Sequence, residues 1–388
     1  MNKLLAIAAS LGLASAAPIA AKFAAPPIPS AAAIDAEVER GMATTGAKGL
    51  ALAVIDNGRI VHVKSYGLRN AKGDPLTNDT IMYGASLTKA LFAATVMQLV
   101  DEGVIGLDTT IDKYLPKPLP DYTDKDVEDR YARWSDLAGD DRWKKLTPRI
   151  LLTHSPGFAN FGFLEPDGKL RFHFEPGARY AYSGDGFILL QFVLERGLGL
   201  DLGKEMQRRL FDRFGMRNTS MMWRPDFRAN LADGWDMQGK VEPHDERSAV
   251  RSAGSMDTTI ADFANFAAAF ARGEGLSAKS RAEISRPQLP ITTATQFPTL
   301  QTELPVAKRR PDLAAGLGVI SFTGPQGRAF EKGGHNDTTG NSWICVEARK
   351  SCVVLLSNDV RSEAAFPAIV RFILGETGAP YDWTKSLP

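Results

Sequence analysis

Strand-like runs in this chain gather at its two ends, and that constrains its fold more than any other feature. Near the start, "GLALAVIDNGRIVHVKSYG" places two β-rich runs around Asn57-Gly58, a pair that tolerates positive φ at both central turn positions and so predicts a tight hairpin. Strand patterns return only towards the end, in "AAGLGVISF", "GRAFEKGG" and "SWICVEARKSCVVLLSND", followed by an apolar helix, "AAFPAIVRFILG". The middle reads as helices and loops. Thr147 caps "LTPRILLTH" with Pro148 at its first position, and helical spacing runs through "GDGFILLQFVLERG", "LGKEMQRRLFDRFG" and "TIADFANFAAAFARG". Strands from both ends must therefore meet in one antiparallel sheet. The predicted class is α/β (α+β): a sheet lobe from residues 35–85 and 313–388, with a mostly helical lobe, 86–312, inserted between. A cleft is expected where the lobes meet. Residues 116–146 are polar and turn-rich, and read as a surface excursion that reaches towards the cleft rim.

Inside this plan lies "YGASLTKALFAATVMQLVDEG", a buried helix that opens with Ser86 and Lys89. Three residues apart, the two side chains project from one helix face. A lysine walled in by apolar side chains loses solvation of its charge, its pKa falls, and it becomes a base for the neighbouring serine. The helix start also favours a developing alkoxide. Alone the spacing is weak, but it occurs once here, at the head of a buried helix.

Four segments, in order, resemble the serine β-lactamase and penicillin-binding protein superfamily, in its class C, D-alanyl-D-alanine carboxypeptidase and esterase branch. They are "ASLTKALFAATVMQLVDEGVIGLD", "LTPRILLTHSPGF", "FEPGARYAYSGDGFILLQFVLE" and "SAGSMDTTIADFANF". The resemblance covers roughly residues 35–375 and implies a β-lactamase/transpeptidase-like fold. It implies that Ser86 is acylated, that Lys89 is the base or proton relay, and that Tyr182 passes a proton to the leaving group; Tyr180 is then structural. For the third motif it implies Lys332, with Gly334 letting substrate backbone lie close. The N–H of His335 would join that of Ser86 as an oxyanion hole. A side-chain role for His335 is the alternative. Two positions depart from the pattern. Gly184 stands where the second motif carries an asparagine amide, and His335 is bulkier than the usual small residue, which weakens recognition of β-lactams. The expected activity is hydrolysis of an ester or amide, as a carboxylesterase or D-amino-acid peptidase. A β-lactamase and a non-catalytic binder of peptidoglycan fragments are the alternatives. The partner is a small-molecule or peptide substrate.

The remaining chemistry is sparse. Two cysteines, Cys345 and Cys352, flank a polar loop at Glu347–Lys350; if that loop has four residues they face each other and form a disulfide, the alternative being two buried thiols. Five scattered histidines show no metal-ligand spacing, so neither metal nor other cofactor is expected. Lys and Arg total 46 against 45 Asp and Glu, scattered, which gives no reason to expect a nucleic acid partner. Residues 1–21 have the layout of an export signal, with Lys3, an apolar stretch, and Ala14-Ser15-Ala16 or Ile19-Ala20-Ala21 as cleavage sites; an uncleaved anchor is the alternative. Residues 22–34 read as a linker and 35–388 as the hydrolase domain. No later stretch suits a membrane span, so the expected location is periplasmic or secreted.

Overall fold

The computed structural model describes residues 25–384; the expected export segment, 1–21, lies outside them. One eight-stranded antiparallel sheet organises the chain. Its strands are β1 (Gly49–Asp56), β2 (Arg59–Gly67), β3 (Leu289–Pro290), β4 (Leu313–Ala315), β5 (Ile320–Gly324), β6 (Gly327–His335), β7 (Gly340–Val346) and β8 (Ser351–Ser357). They lie in the order β2-β1-β8-β7-β6-β5-β4-β3. The two ends of the chain meet at β1 and β8, from Leu50 opposite Ser357 to Ile55 opposite Cys352. The β1–β2 turn is the expected one: Asn57 and Gly58 have φ of 49° and 72°, as a two-residue hairpin with right-handed strand twist requires.

Strand periodicity of two sorts the side chains into two cores. Ala51, Ala53, Trp343, Cys345, Cys352 and Val354 face one way, into a core shared with the helices Leu87–Asp101 and Ile260–Arg272. Leu50, Leu52, Val54, Ile344, Val353 and Leu355 face the other, against the helices Ala31–Thr45 and Phe366–Leu374. With helices on both faces, the central strands read as continuous apolar runs. On the first face, Phe263, Phe266, Phe270 and Phe330 surround the Trp343 ring, with centroids 4.9–5.6 Å away.

Several local expectations are corrected. The expected linker, 22–34, is cut short by a helix that begins at Ala31, because Ser30 caps it and the three alanines that follow are strong helix formers. The run "AAGLGVISF" is two strands, split by a turn in which Gly318 has φ of 73°. Strands also occur inside the middle region: β3 joins the sheet edge, and Met82–Tyr83 pairs with Asp257–Thr258 and Gly234–Trp235 with Val241–Glu242. Each spans two residues, too short to leave a periodic pattern. The excursion at 116–146 is not a surface feature alone. Leu119, Tyr122, Val127, Tyr131, Trp134, Leu137 and Trp143 are buried, and Tyr122, Tyr131 and Trp134 close around Phe192. Its charges hide a set of widely spaced aromatic anchors.

Cys345 and Cys352 are directly opposed in the β7–β8 hairpin, whose loop is the four residues 347–350, and they form a disulfide with Cα atoms 4.1 Å apart. Tryptic mass mapping without reductant is expected to recover the two cysteine peptides linked, and separate after reduction. The Cys345→Ala/Cys352→Ala variant is expected to lose roughly 2 kcal/mol of stability in urea unfolding, the loop-closure entropy of so short a ring. Two unlinked peptides would refute the bridge.

Candidate active site

Ser86 occupies the N-cap position of the Leu87–Asp101 helix, and the chain reaches it through Ala85, whose φ is 46°. A non-glycine residue in the left-handed region costs energy and persists only where surroundings enforce it. Here the enforcing contacts come from both sides. Gly84 N–H donates to Met256 O at 2.8 Å, and Tyr83 O accepts from Asn341 Nδ2 at 2.9 Å. On the sheet side, a Cβ at Gly334 would lie 2.6 Å from Gly84 O and 3.2 Å from Ser86 N. Only glycine lets β6 pass this close to the helix start.

Lys89, one turn on, is 1% exposed. Its Nζ lies 3.1 Å from Ser86 Oγ and donates to Ala253 O. Among the described residues no carboxylate pairs with it. Burial, reinforced by the nearby Lys332 charge, holds its amine well below the ordinary lysine range. Tyr182 Oη lies 2.8 Å from Ser86 Oγ, and the Lys89 and Lys332 ammonium positions are 5.0 and 5.5 Å from the Tyr182 ring centre. Burial pushes the phenol's pKa up, so it is a neutral hydrogen-bond donor. Tyr180 turns away into the second core, where Gln296 Nε2 donates to it at 3.2 Å.

Lys332 is a buried side chain, not a solvated strand end; its Nζ donates to Gly333 O at 2.7 Å, and burial lowers its pKa to about 8. The His335 side chain sits at the mouth, where Nδ1 is 3.0 Å from Glu363 Oε1. Burial opposes its charge, but that carboxylate outweighs burial and raises the imidazole pKa. All of Ser86, Lys89, Tyr182, Lys332, Gly334 and His335 line one cavity of about 790 Å³, which the excursion reaches through Tyr131, Arg133 and Asp136.

Sequence reasoning missed one supporting residue. His154, in "LLTHSPGF", is buried, stacks on Tyr182 at 4.2 Å between ring centres and 22° between planes, and accepts the Ser183 N–H at Nδ1, 3.0 Å away. Burial first, with the Lys332 charge adding to it, holds its pKa well below the ordinary histidine range and keeps it neutral. A histidine beside the Ser-Pro-Gly turn was the available signal, but nothing local in the sequence ties it to a tyrosine so far along the chain.

This architecture has known counterparts. A D-alanine carboxypeptidase, AmpC, from Burkholderia cenocepacia superposes with a TM-score of 0.66 at 19% identity, covering 88% of this chain and 99% of that one. An octameric penicillin-binding protein homologue from Pyrococcus abyssi superposes with a TM-score of 0.67 at 17% identity, covering 88% and 77%. In sequence, a lovastatin esterase from Penicillium rubens is 28% identical over 203 residues, 45% of this chain and 49% of that protein. Monacolin J acid methylbutanoyltransferase from Aspergillus terreus is 28% identical over 206 residues, 46% and 48%. The chain thus spans about half the length of these two relatives. A family profile described as Beta-lactamase matches residues 34–375, nearly the whole described chain, and the protein belongs to that family.

Proposed function

We propose that the protein is a serine hydrolase that passes through an acyl-enzyme on Ser86 and cleaves an ester. The carrying observation is the position of Ser86 Oγ, 3.1 Å from a buried amine that has no carboxylate partner among the described residues and 2.8 Å from a buried phenol. A buried ammonium without a carboxylate is costly, so burial and the Lys332 charge drive Lys89 towards the neutral amine that can accept the serine proton. Ser86 Oγ then attacks the carbonyl carbon, and the oxyanion is held by the N–H groups of Ser86 and His335. The proton travels through Tyr182 to the departing oxygen as the carbon–oxygen bond breaks. Water attacks the acyl-enzyme by the reverse route, giving the acid and restoring Ser86. The Lys332 charge stabilises negative charge arising on Tyr182 or on the substrate, and neutral His154 keeps the phenol ring in register.

An esterase is favoured over a β-lactamase because no side-chain amide stands at Gly184 and because the relatives matched in sequence include esterases. The methylbutanoyltransferase relatives support one related reading, acyl transfer, which differs only in the second nucleophile. A non-catalytic binding role would leave the Ser86–Lys89–Tyr182 arrangement without a use. The disulfide supports an exported location, periplasmic or secreted.

Treatment with a fluorophosphonate is expected to add one mass adduct to the wild-type protein and none to Ser86→Ala; no adduct on either would return the binding reading. Lys89→Ala is expected to retain its circular dichroism spectrum while p-nitrophenyl acetate turnover falls on the order of a thousandfold, as loss of a general base commonly causes. An undiminished rate excludes Lys89 as the base. Because Lys332 is cationic only below a pKa of about 8, kcat/KM is expected to decline above that pH. The decline should be absent from the slower Lys332→Gln variant. Identical pH profiles would remove Lys332 from the reaction.

A further inference from the structure

Gly184 begins the helix Gly184–Phe192, two residues beyond Tyr182. A Cβ at this position would lie 2.3 Å from both Cε1 and Cζ of Phe161. The aromatic ring therefore occupies the space that any side chain at 184 would need, and it lines the same cavity as Ser86. Its position is set from both sides in sequence. Asn160 Oδ1 accepts the Gly184 N–H at 3.0 Å, and the buried Asp185 carboxylate accepts the Gly162 N–H at 2.6 Å. Both anchors tie the Phe161 loop to the start of the helix that follows Tyr182.

The hydrocarbon surface continues outward. Ile188 follows Gly184 by one helical turn, on the same helix face, and lines the cavity. Leu170 packs where a Cβ on Gly162 would lie, and Phe163 stacks on Phe161 with ring centres 5.1 Å apart and planes 15° apart. Phe163 is 73% exposed, an apolar group held at the mouth of the cavity. A large exposed aromatic on the wall of the cavity that holds Ser86 lowers its free energy when an apolar group covers it.

We propose that Phe161, Phe163, Leu170 and Ile188 form a specificity subsite that takes an alkyl or aryl substituent of the ester, in the place where an amide side chain at 184 would have contacted a polar one. The inference rests on the acyl-enzyme reading above and names its substrate class: esters with an apolar arm beside the scissile bond. Phe161 and Phe163 act by binding that arm and take no part in proton transfer. Substrates whose arm is an acylamino group would bury its N–H and C=O against hydrocarbon, at the cost of unpaired polar groups.

Two series of esters test this, one lengthening the acid half (p-nitrophenyl acetate, butyrate, octanoate) and one the alcohol half (ethyl, hexyl and benzyl acetate). Rates are normalised to serine titrated with fluorophosphonate, so that misfolded enzyme does not count. In wild type, kcat/KM is expected to rise about tenfold or more along one series, as successive methylenes are buried. Phe161→Ala is expected to abolish that rise, read as the ratio of octanoate to acetate kcat/KM within the variant, so that any change in its basal rate cancels. Phe163→Ala, at an exposed position, is expected to reduce the rise partially with the fold intact. The series that responds assigns the subsite to the acid or the alcohol half. A flat wild-type profile in both series, or an unchanged rise in Phe161→Ala and Phe163→Ala, would overturn the subsite while leaving the acyl-enzyme standing. Absence of any titratable serine in the wild type would instead overturn the acyl-enzyme reading, and this inference with it.

Discussion

The burial of the Lys89 amine is the constraint on which the rest of the site depends. A lysine on an exposed helix face would hold its proton, and Ser86 would be an ordinary hydroxyl. Enclosed as it is, with only Ser86 Oγ and the Ala253 carbonyl within hydrogen-bond reach among the described residues, the amine is driven towards neutrality by desolvation and by the second cation, Lys332. The aromatic faces of Tyr182 and Phe187, 5.0 and 5.7 Å away, complete the enclosure. They favour a cation when one forms, but offer no fixed negative charge that would keep it protonated at rest. In the proposed reaction, the Lys89 amine can therefore gain a proton and lose it afterwards.

That enclosure needs elements from distant parts of the chain. Lys89 lies on the helix Leu87–Asp101, Ala253 on the loop before the short strand Asp257–Thr258, Tyr182 just ahead of the helix Gly184–Phe192, and Lys332 on β6. The sheet supplies the fixed frame. Its closure through β1 and β8 ties the chain ends together, so the inserted middle must pack back over one sheet face, and the cavity is the gap left where it does. A continuous apolar core then runs from the inner faces of β7 and β8 through the Leu87–Asp101 helix to Phe192 and the aromatic anchors of residues 119–143. Strain at Ala85 is affordable because this core holds both sides of it.

What could be read from the sequence was what local chemistry decides. Asn57-Gly58 specified its turn, and the four-residue loop between Cys345 and Cys352 set them opposite each other whatever surrounded them. The antiparallel sheet followed from where β-rich runs stand in the chain. Ser86 and Lys89 stood out because both belong to one helical turn. The parts that escaped depend on contacts between distant segments. Trp134 and Tyr131 are core residues because Phe192 offers them a surface, while their own neighbours are charged. His154 supports Tyr182 through a stacking contact that spacing cannot reveal. Gly184 was legible as a missing amide, but not as room for Phe161, since the ring arrives from a separate loop.

Glycine explains how so many backbones come near one hydroxyl. β6 passes the helix start at Gly334, where a methyl group would meet Gly84 O and Ser86 N. The turn between β4 and β5 reaches the same helix at Gly318, where a Cβ would lie 2.8 Å from both Lys89 O and Ala93 Cβ. The third approach, Phe161 against Gly184, has the same form but a different consequence. The first two bring main chain against main chain, fixing the helix and the amine it carries, and so serve the reaction. The third brings a side chain into the space left by another, and so changes only what the cavity wall is made of. In the proposed reaction, such a division would keep the ester-cleaving geometry fixed while the apolar wall that begins at Phe161 selects the substrate's arm.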